Sequence, residues 1–200
     1  MMLIEQTTVP EAALPVQALK THLRLGTGFA DDGMQDGLLI GYLRAAMAAI
    51  EGRIGKALIS RRFALTLDGW RAGDVQALPI APVTEVVTVM VQDHDGAQAV
   101  VNPALYRLMP DTHRPRLQST GFLLPAVPSG GKVEILFEAG FGPEWAAVPA
   151  DLAQAVLLLA AEYYEMRHEG GLRDGHGLPF GVVTLIERWR TVRVLGGGAK

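Results

Sequence analysis

Residues Val148–His168, VPADLAQAVLLLAAEYYEMRH, form the longest apolar stretch of this 200-residue chain and carry clear helix signals. Pro149 is tolerated in a first helical turn because it leaves no N–H unbonded, and Asp151 places negative charge at the positive helix end. Gly170–Gly171 follow the pattern and end it. The apolar residues recur at helical spacing and predict a buried stripe: Leu152, Ala155, Val156, Leu159, Tyr163 and Met166.

Both long helices carry apolar side chains on a second side. These are Leu157 and Leu158 on the helix predicted at 149–168, and Leu38 and Tyr42 on a helix predicted at 32–55. The core of one small domain can bury only one side of each helix. We therefore expect the second apolar side to contact another copy of the chain. The sequence therefore predicts these four residues as a subunit interface. A shorter helix is predicted at 15–25, and Gly55 is the expected left-handed stop of the second helix.

The period of apolar residues changes from about 3.6 to 2 after Ser60, which indicates β-strands. Phe63, Leu65 and Leu67 alternate with polar residues, and Lys132–Glu138 alternates in the same way. Short strands are also expected between them, one at Phe122–Leu124. The predicted fold is α+β and mainly helical: a helical bundle with a small antiparallel β-sheet insertion at about 60–140 and a C-terminal helical arm. Residues 1–180 would be a single domain, followed by the arm at 181–200.

The arm is amphipathic and too short to bury itself, which favours docking in a groove of a partner. Its positive charge has three interpretations: a solvated helix face, contact with an acidic protein groove, or a nearby phosphate backbone. The residues predicted to bind a partner are Val183, Ile186, Arg188, Trp189, Arg190 and Arg193.

Composition excludes several classes of function. The formal net charge of −3 gives no general basic field for nucleic acid, and the absence of cysteine excludes disulfides and thiolate metal ligands. The longest apolar run is interrupted by Glu162 and Glu165, so no membrane span is expected. The N-terminus lacks the pattern of a signal peptide. We expect a soluble protein that is not exported.

The sequence gives only weak evidence of a catalytic or metal-binding site. Glu165 and His168 have the Glu-x-x-His spacing of di-iron helix bundles, but those sites need the motif twice and two further glutamates. No serine lies in a nucleophile elbow, and the glycine-rich segment from Gly170 to Gly181 lacks the features of a phosphate loop. The sequence therefore predicts no enzyme and no cofactor. The alternative is a small metal-dependent enzyme or binding domain that uses Glu165 and His168.

An ordered set of motifs resembles the head-to-tail connector, or adaptor, proteins of long-tailed phages and gene transfer agents. The resemblance covers roughly Val16 to Arg190. Its strongest parts are Ala139–Gly140 followed by Val148–Pro149, and the Glu-x-Arg of Glu165–Arg167. The motifs are LKTHLRL, IEGRIGKALI, FALTLDGW, LPIAPVTEVVTV, DGAQ, a strand at Tyr106, FEAGFG, VPADLAQAVLLLAAEYYEMR and LPFGVVTLIERWR.

The resemblance implies a virion structural protein made in the host cytoplasm and located at the head-to-tail junction of a phage-like particle. Such adaptors form a closed ring, usually of twelve copies, beneath the portal. They present a platform to the downstream stopper or tail connector protein, and DNA passes through the lumen without sequence recognition. Their C-terminal segment commonly docks on the portal, which maps here onto Val182–Val194. The alanine-rich composition suits a gene transfer agent of a GC-rich bacterium.

Overall fold

The computed structural model describes residues 1–25, 33, 35–168 and 177–190, with His168 described by its backbone. Within these ranges, helices lie towards the two ends of the chain and most strands lie between them. The α-helices are α1 (Val16–His22), α2 (Asp36–Ile54), α3 (Ala150–Glu165) and α4 (Phe180–Ile186). The strands are β1 (Met2–Glu5), β2 (Arg61–Leu67), β3 (Val75–Ala77), β4 (Val83–Gln92), β5 (Gln98–Val100), β6 (Tyr106–Met109), β7 (Arg116–Ser119) and β8 (Lys132–Ala139).

The long helices begin and end where local chemistry favours it. Pro149 precedes α3, and its carbonyl oxygen accepts a hydrogen bond from the N–H of Ala153 at 2.9 Å. Helix α2 ends at Gly55, whose φ of 67° is the left-handed conformation that glycine adopts without steric cost. The predicted helix stop at Gly55 is confirmed.

The four helices share one apolar core. The predicted stripe of α3 is buried from Leu152 to Leu159, while Tyr163 and Met166 are half-buried. Helix α2 packs its own stripe against α3, and α1 and α4 also contact α3. Such a core forms because helical spacing gathers apolar side chains on one side of each element. Its fully buried members include Leu19, Leu39, Leu43, Ile50, Leu152, Ala155, Val156 and Ile186.

The strands form two antiparallel sheets. One has five strands in the order β1-β2-β8-β4-β5, and the other has three in the order β3-β7-β6. In the larger sheet, Phe63 of β2 lies opposite Phe137 of β8, and their rings stack with centroids 5.8 Å apart. Side chains alternate along β8, with Val133, Ile135 and Phe137 fully buried. They belong to a second apolar core that the two sheets share.

The prediction of a mainly helical bundle is wrong. The described residues are 36% helical and 26% strand, with two sheets that have an apolar core of their own rather than one small inserted sheet. Several short strands were expected, but β3, β6 and β7 have only three or four residues, so their sequence does not indicate that they pair with one another as a second sheet. Strand β1 was not predicted, and it pairs with β2 at the sheet edge. The predicted strand at Phe122–Leu124 is also wrong, because these residues lie in a loop.

An ion-pair cluster joins the helical core to the larger sheet. The Arg61 guanidinium of β2 lies 2.7 Å from the Glu51 carboxylate of α2 and 2.9 Å from Glu5 of β1. Glu51 also accepts a hydrogen bond from the N–H of Leu58 at 2.7 Å. This pairing balances the charge of a largely buried guanidinium and fixes the helix relative to the sheet, although Arg61 Nε makes no hydrogen bond. Among the described helices, none has the length and apolarity to cross a membrane.

Candidate assembly surfaces

The four predicted interface residues differ in exposure. Leu38 is 46% exposed, whereas Tyr42, Leu157 and Leu158 are half-buried and pack against the helical core of their own chain. The Tyr42 ring meets Tyr164 edge-to-face with centroids 6.2 Å apart. The second apolar side of each helix is therefore partly covered within one copy, and Leu38 is the most exposed member of the set.

A groove of about 390 Å³ lies at the C-terminal end of α3, and we call it the α3 groove. Apolar and polar side chains line it together, and its two carboxylates, Glu162 and Glu165, are one helical turn apart on α3. The groove is open to solvent and combines apolar surface with negative charge. Its lining residues are His22, Leu158, Ala161, Glu162, Glu165, Met166 and Pro179.

The metal-dependent alternative draws no support from the described side chains. Glu165 is exposed, and no group of three or more histidine, cysteine, aspartate or glutamate residues in the described part of the chain is arranged to hold a metal ion. The side chain of His168 lies outside the described residues. Glu165 therefore contributes to the lining of the α3 groove.

The described part of the predicted arm packs on its own chain. Val182 and Ile186 of α4 are buried in the helical core, and Val183 is half-buried. The Trp189 indole N–H donates to Asp151 Oδ2 at 2.7 Å, and its ring meets Phe141 edge-to-face with centroids 5.3 Å apart. Phe141 and Asp151 therefore anchor the arm at the N-terminal end of α3. No sequence motif predicted this role.

The cations of the arm lie on its solvent side. The Arg188 side chain is 69% exposed, with Nε 2.7 Å from Asp151 Oδ2 and its guanidinium 4.7 Å from the centre of the Trp189 ring. Arg190 pairs with Glu187 at 3.1 Å. Arg193 lies outside the described residues. The arm therefore has an apolar side held on α3 and a charged side in solvent.

Three large apolar side chains that sequence reasoning missed are exposed. Phe122 is 97% exposed, its neighbour Leu123 is 68% exposed, and Phe180 at the start of α4 is 86% exposed. Adjacent exposed apolar side chains, such as those of Phe122 and Leu123, often mark a contact site. The sequence feature that could have indicated their exposure is a preceding glycine or proline, in Gly121–Phe122 and Pro179–Phe180. At such a position an aromatic residue does not continue the apolar period of a buried helix or strand.

A buried lysine fastens one loop of the β region. The Lys56 ammonium group donates to the carbonyl oxygen of Thr112 and lies 3.2 Å from His113 Nδ1. Burial lowers the pKa of Lys56, and the negative charge of Asp111 partly offsets this effect. Burial and the positive charge of Lys56 lower the pKa of His113. Asp111 Oδ1 accepts the N–H groups of His113 and Arg114, both at 2.7 Å, and these bonds lower the pKa of Asp111. The cluster holds the loop in place.

Comparison with known proteins gives a consistent result. No protein-family model matches the chain, and no curated protein is similar enough to count as a relative. Solved structures do match. A protein in the neck of an empty gene transfer agent particle, computed with C6 symmetry, is 59% identical over 98% of this chain and 99% of that one, with a TM-score of 0.89.

Two further structures agree. A protein in the virion of a native gene transfer agent particle is 59% identical with a TM-score of 0.86, and one in the neck of a native particle, computed with C12 symmetry, is 54% identical with a TM-score of 0.83. Each alignment covers 98% of this chain and 99% of the other. With identity at this level over nearly every residue, the chain belongs to the head-to-tail connector family, the virion structural proteins at the neck of gene transfer agent particles.

Proposed function

We propose that the protein is a structural adaptor, forming a ring between the capsid portal and the downstream stopper or tail connector protein. The observation that carries the proposal is the 59% identity, over 98% of the chain, to a protein in the neck of a gene transfer agent particle. At this identity, contact surfaces as well as the fold are expected to be retained. The role is one of assembly, and we propose that the protein is not an enzyme.

The two symmetries of the solved necks support a ring of twelve copies. One similar neck was computed with C6 symmetry and another with C12 symmetry. A ring of twelve obeys both, because a twelvefold axis contains a sixfold axis. In such a ring each copy meets its neighbours through two unlike surfaces. We propose that Leu38, Tyr42, Leu157 and Leu158 contribute to these contacts.

The lumen of the ring would be a passage for DNA without sequence recognition. The formal net charge of −3 supports this role, since a protein that is acidic overall does not hold a phosphate backbone tightly. DNA could then slide through during packaging and ejection.

The arm at 181–200 is the proposed attachment to the portal, through the predicted set Val183, Ile186, Arg188, Trp189, Arg190 and Arg193. Ile186 and Trp189 pack on the rest of the chain, so they would hold the docking surface in position without contacting the portal themselves. Arg188 reaches solvent and would make direct contact. The exposed ring of Phe180 adds apolar surface at the start of the same element.

The test removes the cations of the arm and keeps the buried apolar side chains that hold it on α3. Arg188→Ala combined with Arg190→Ala should reduce copurification of the portal at least tenfold, because two cations that would steer and hold the partner are lost. The control is Arg53→Ala with Arg62→Ala, two exposed arginines on α2 and β2. Undiminished portal binding by the arm variant, with an unchanged thermal midpoint, would contradict the docking role.

Deletion of residues 182–200 is a less selective test. It removes Val182 and Ile186, which are 1% and 0% exposed in the helical core, and it removes the Trp189 bond to Asp151. Loss of two buried side chains destabilises the fold whatever the arm binds. Substitution of exposed side chains separates docking from folding.

A further inference from the structure

The loop after β7 presents two apolar side chains to solvent, and we call Phe122 and Leu123 the apolar knob. Phe122 is 97% exposed and Leu123 is 68% exposed, so neither contributes much to the core of its own chain. The next residue, Leu124, is 5% exposed and anchors the loop. Its N–H donates to the carbonyl oxygen of Gly73 at 2.7 Å.

Hydrogen bonds brace the knob from both sides. Ser119 Oγ donates to the carbonyl oxygen of Leu123 at 2.8 Å and accepts the N–H of Gly121 at 3.1 Å. Thr120 bonds the carbonyl oxygens of Ala104 and Leu105, through Oγ1 at 2.7 Å and through its N–H at 3.1 Å. A loop fixed in this way loses little conformational entropy on docking, which favours an anchor for a partner.

The rim of the knob is basic. Arg107 lies on β6, next to the Tyr106–Ser119 pair from which the loop departs, and Arg71 lies two residues before Gly73; both are exposed. Asp74 is the acidic residue on the same segment. The α3 groove offers complementary groups: the apolar side chains of Leu158 and Met166 beside the carboxylates of Glu162 and Glu165. Its volume of about 390 Å³ falls in the range of about 300–1,000 Å³ typical of pockets that bury small apolar groups.

We propose that the apolar knob of one copy docks in the α3 groove of the next copy around the ring. The inference rests on the proposed function, because a cyclic ring requires two unlike, complementary surfaces on every copy. The knob belongs to the β region and the groove to the helical region, so they supply the two faces that a head-to-tail contact needs. The aromatic anchor supplies the buried area, and opposite charges at the rim set the register.

The test uses the absence of cysteine from the chain. Gly121→Cys, beside the knob, and Glu165→Cys, at the groove, are combined in one chain, and purified particles are treated with a short bismaleimide. A cross-link from each copy to the next gives a ladder of covalent multimers on a denaturing gel. Each single variant, and Val100→Cys combined with Glu165→Cys, should stay monomeric. Val100 provides the control because it is 67% exposed on a different strand.

The outcomes separate the inference from the proposed function. Particles that contain the Gly121→Cys/Glu165→Cys chain without the ladder, or with cross-links only to a different neck protein, would overturn the inference. Absence of the unmodified chain from particles would overturn the proposed function. A second variant removes the knob itself: Phe122→Ser with Leu123→Ser should lower incorporation at least tenfold, and Val100→Ser should not. Equal incorporation of these two variants would also overturn the inference.

Discussion

At the scale of single residues, Gly140 leaves no room for a side chain. It follows the last residue of β8 with a φ of 144°, and a Cβ there would lie 2.4 Å from both the N and the Cα of Ser60. Alanine would need a strained backbone and a shift of the neighbouring segment. We expect Gly140→Ala to lower the free energy of unfolding by about 2–4 kcal/mol, as measured by urea denaturation.

Gly52 is the matched control for this substitution. It is exposed in α2, and a Cβ there meets no atom within 4 Å. Gly52→Ala should raise the free energy of unfolding by about 0.5–1 kcal/mol, because alanine loses less backbone entropy in a helix. Similar changes for the two variants would show that the close approach at Gly140 does not govern stability.

His113 gives a pH dependence whose sign follows from its surroundings. Burial and the Lys56 charge lower the pKa of His113 below its ordinary value of 6.5, so the unfolded chain binds a proton more readily than the folded chain. The stability contribution is therefore complete above pH 6.5 and is lost as pH falls through the lowered folded pKa. The thermal midpoint should fall modestly from pH 7.5 to pH 5.5, and less in His113→Gln. An equal fall in both proteins would exclude His113 as the cause.

At the scale of elements, Asp151 links two helices that are far apart in sequence. It begins α3 and bonds both the Trp189 indole and Arg188 after α4, each at 2.7 Å. We expect Asp151→Ala to destabilise the arm by about 1–3 kcal/mol, since the half-buried Trp189 indole and the Arg188 guanidinium lose a charged acceptor. Hydrogen exchange at residues 180–190 should accelerate roughly 5- to 150-fold accordingly. Asp68→Ala, at a side chain that is 93% exposed, is the control and should leave that exchange unchanged.

The length of an element decided how well it could be predicted. Helices α2 and α3 repeat their apolar period over 19 and 16 residues, and β8 alternates over eight, so their buried faces are legible in the sequence. The apolar knob could not be predicted from the sequence. The exposure of Phe122 depends on the hydrogen bond from Ser119 to Leu123 and on the hydrogen bond from Leu124 to Gly73, which is distant in sequence. The docking of Trp189 on Phe141 and Asp151 is equally non-local.

At the scale of the whole molecule, two cores in one chain suit a ring component. The helical core carries the arm and the α3 groove, and the β core carries the apolar knob. In the proposed ring, a copy would meet the portal and both neighbours with different parts of its surface. This arrangement accounts for large apolar side chains that remain exposed in the single chain but would be covered on assembly.

The most direct test of the adaptor role is a cryo-electron microscopy reconstruction of the particle neck without imposed symmetry. The account predicts twelve copies of this chain in one closed ring around the DNA path, with the portal on one side and the next connector protein on the other. A neck in which this chain forms no ring, or lies away from the axis with no contact to the portal, would contradict it.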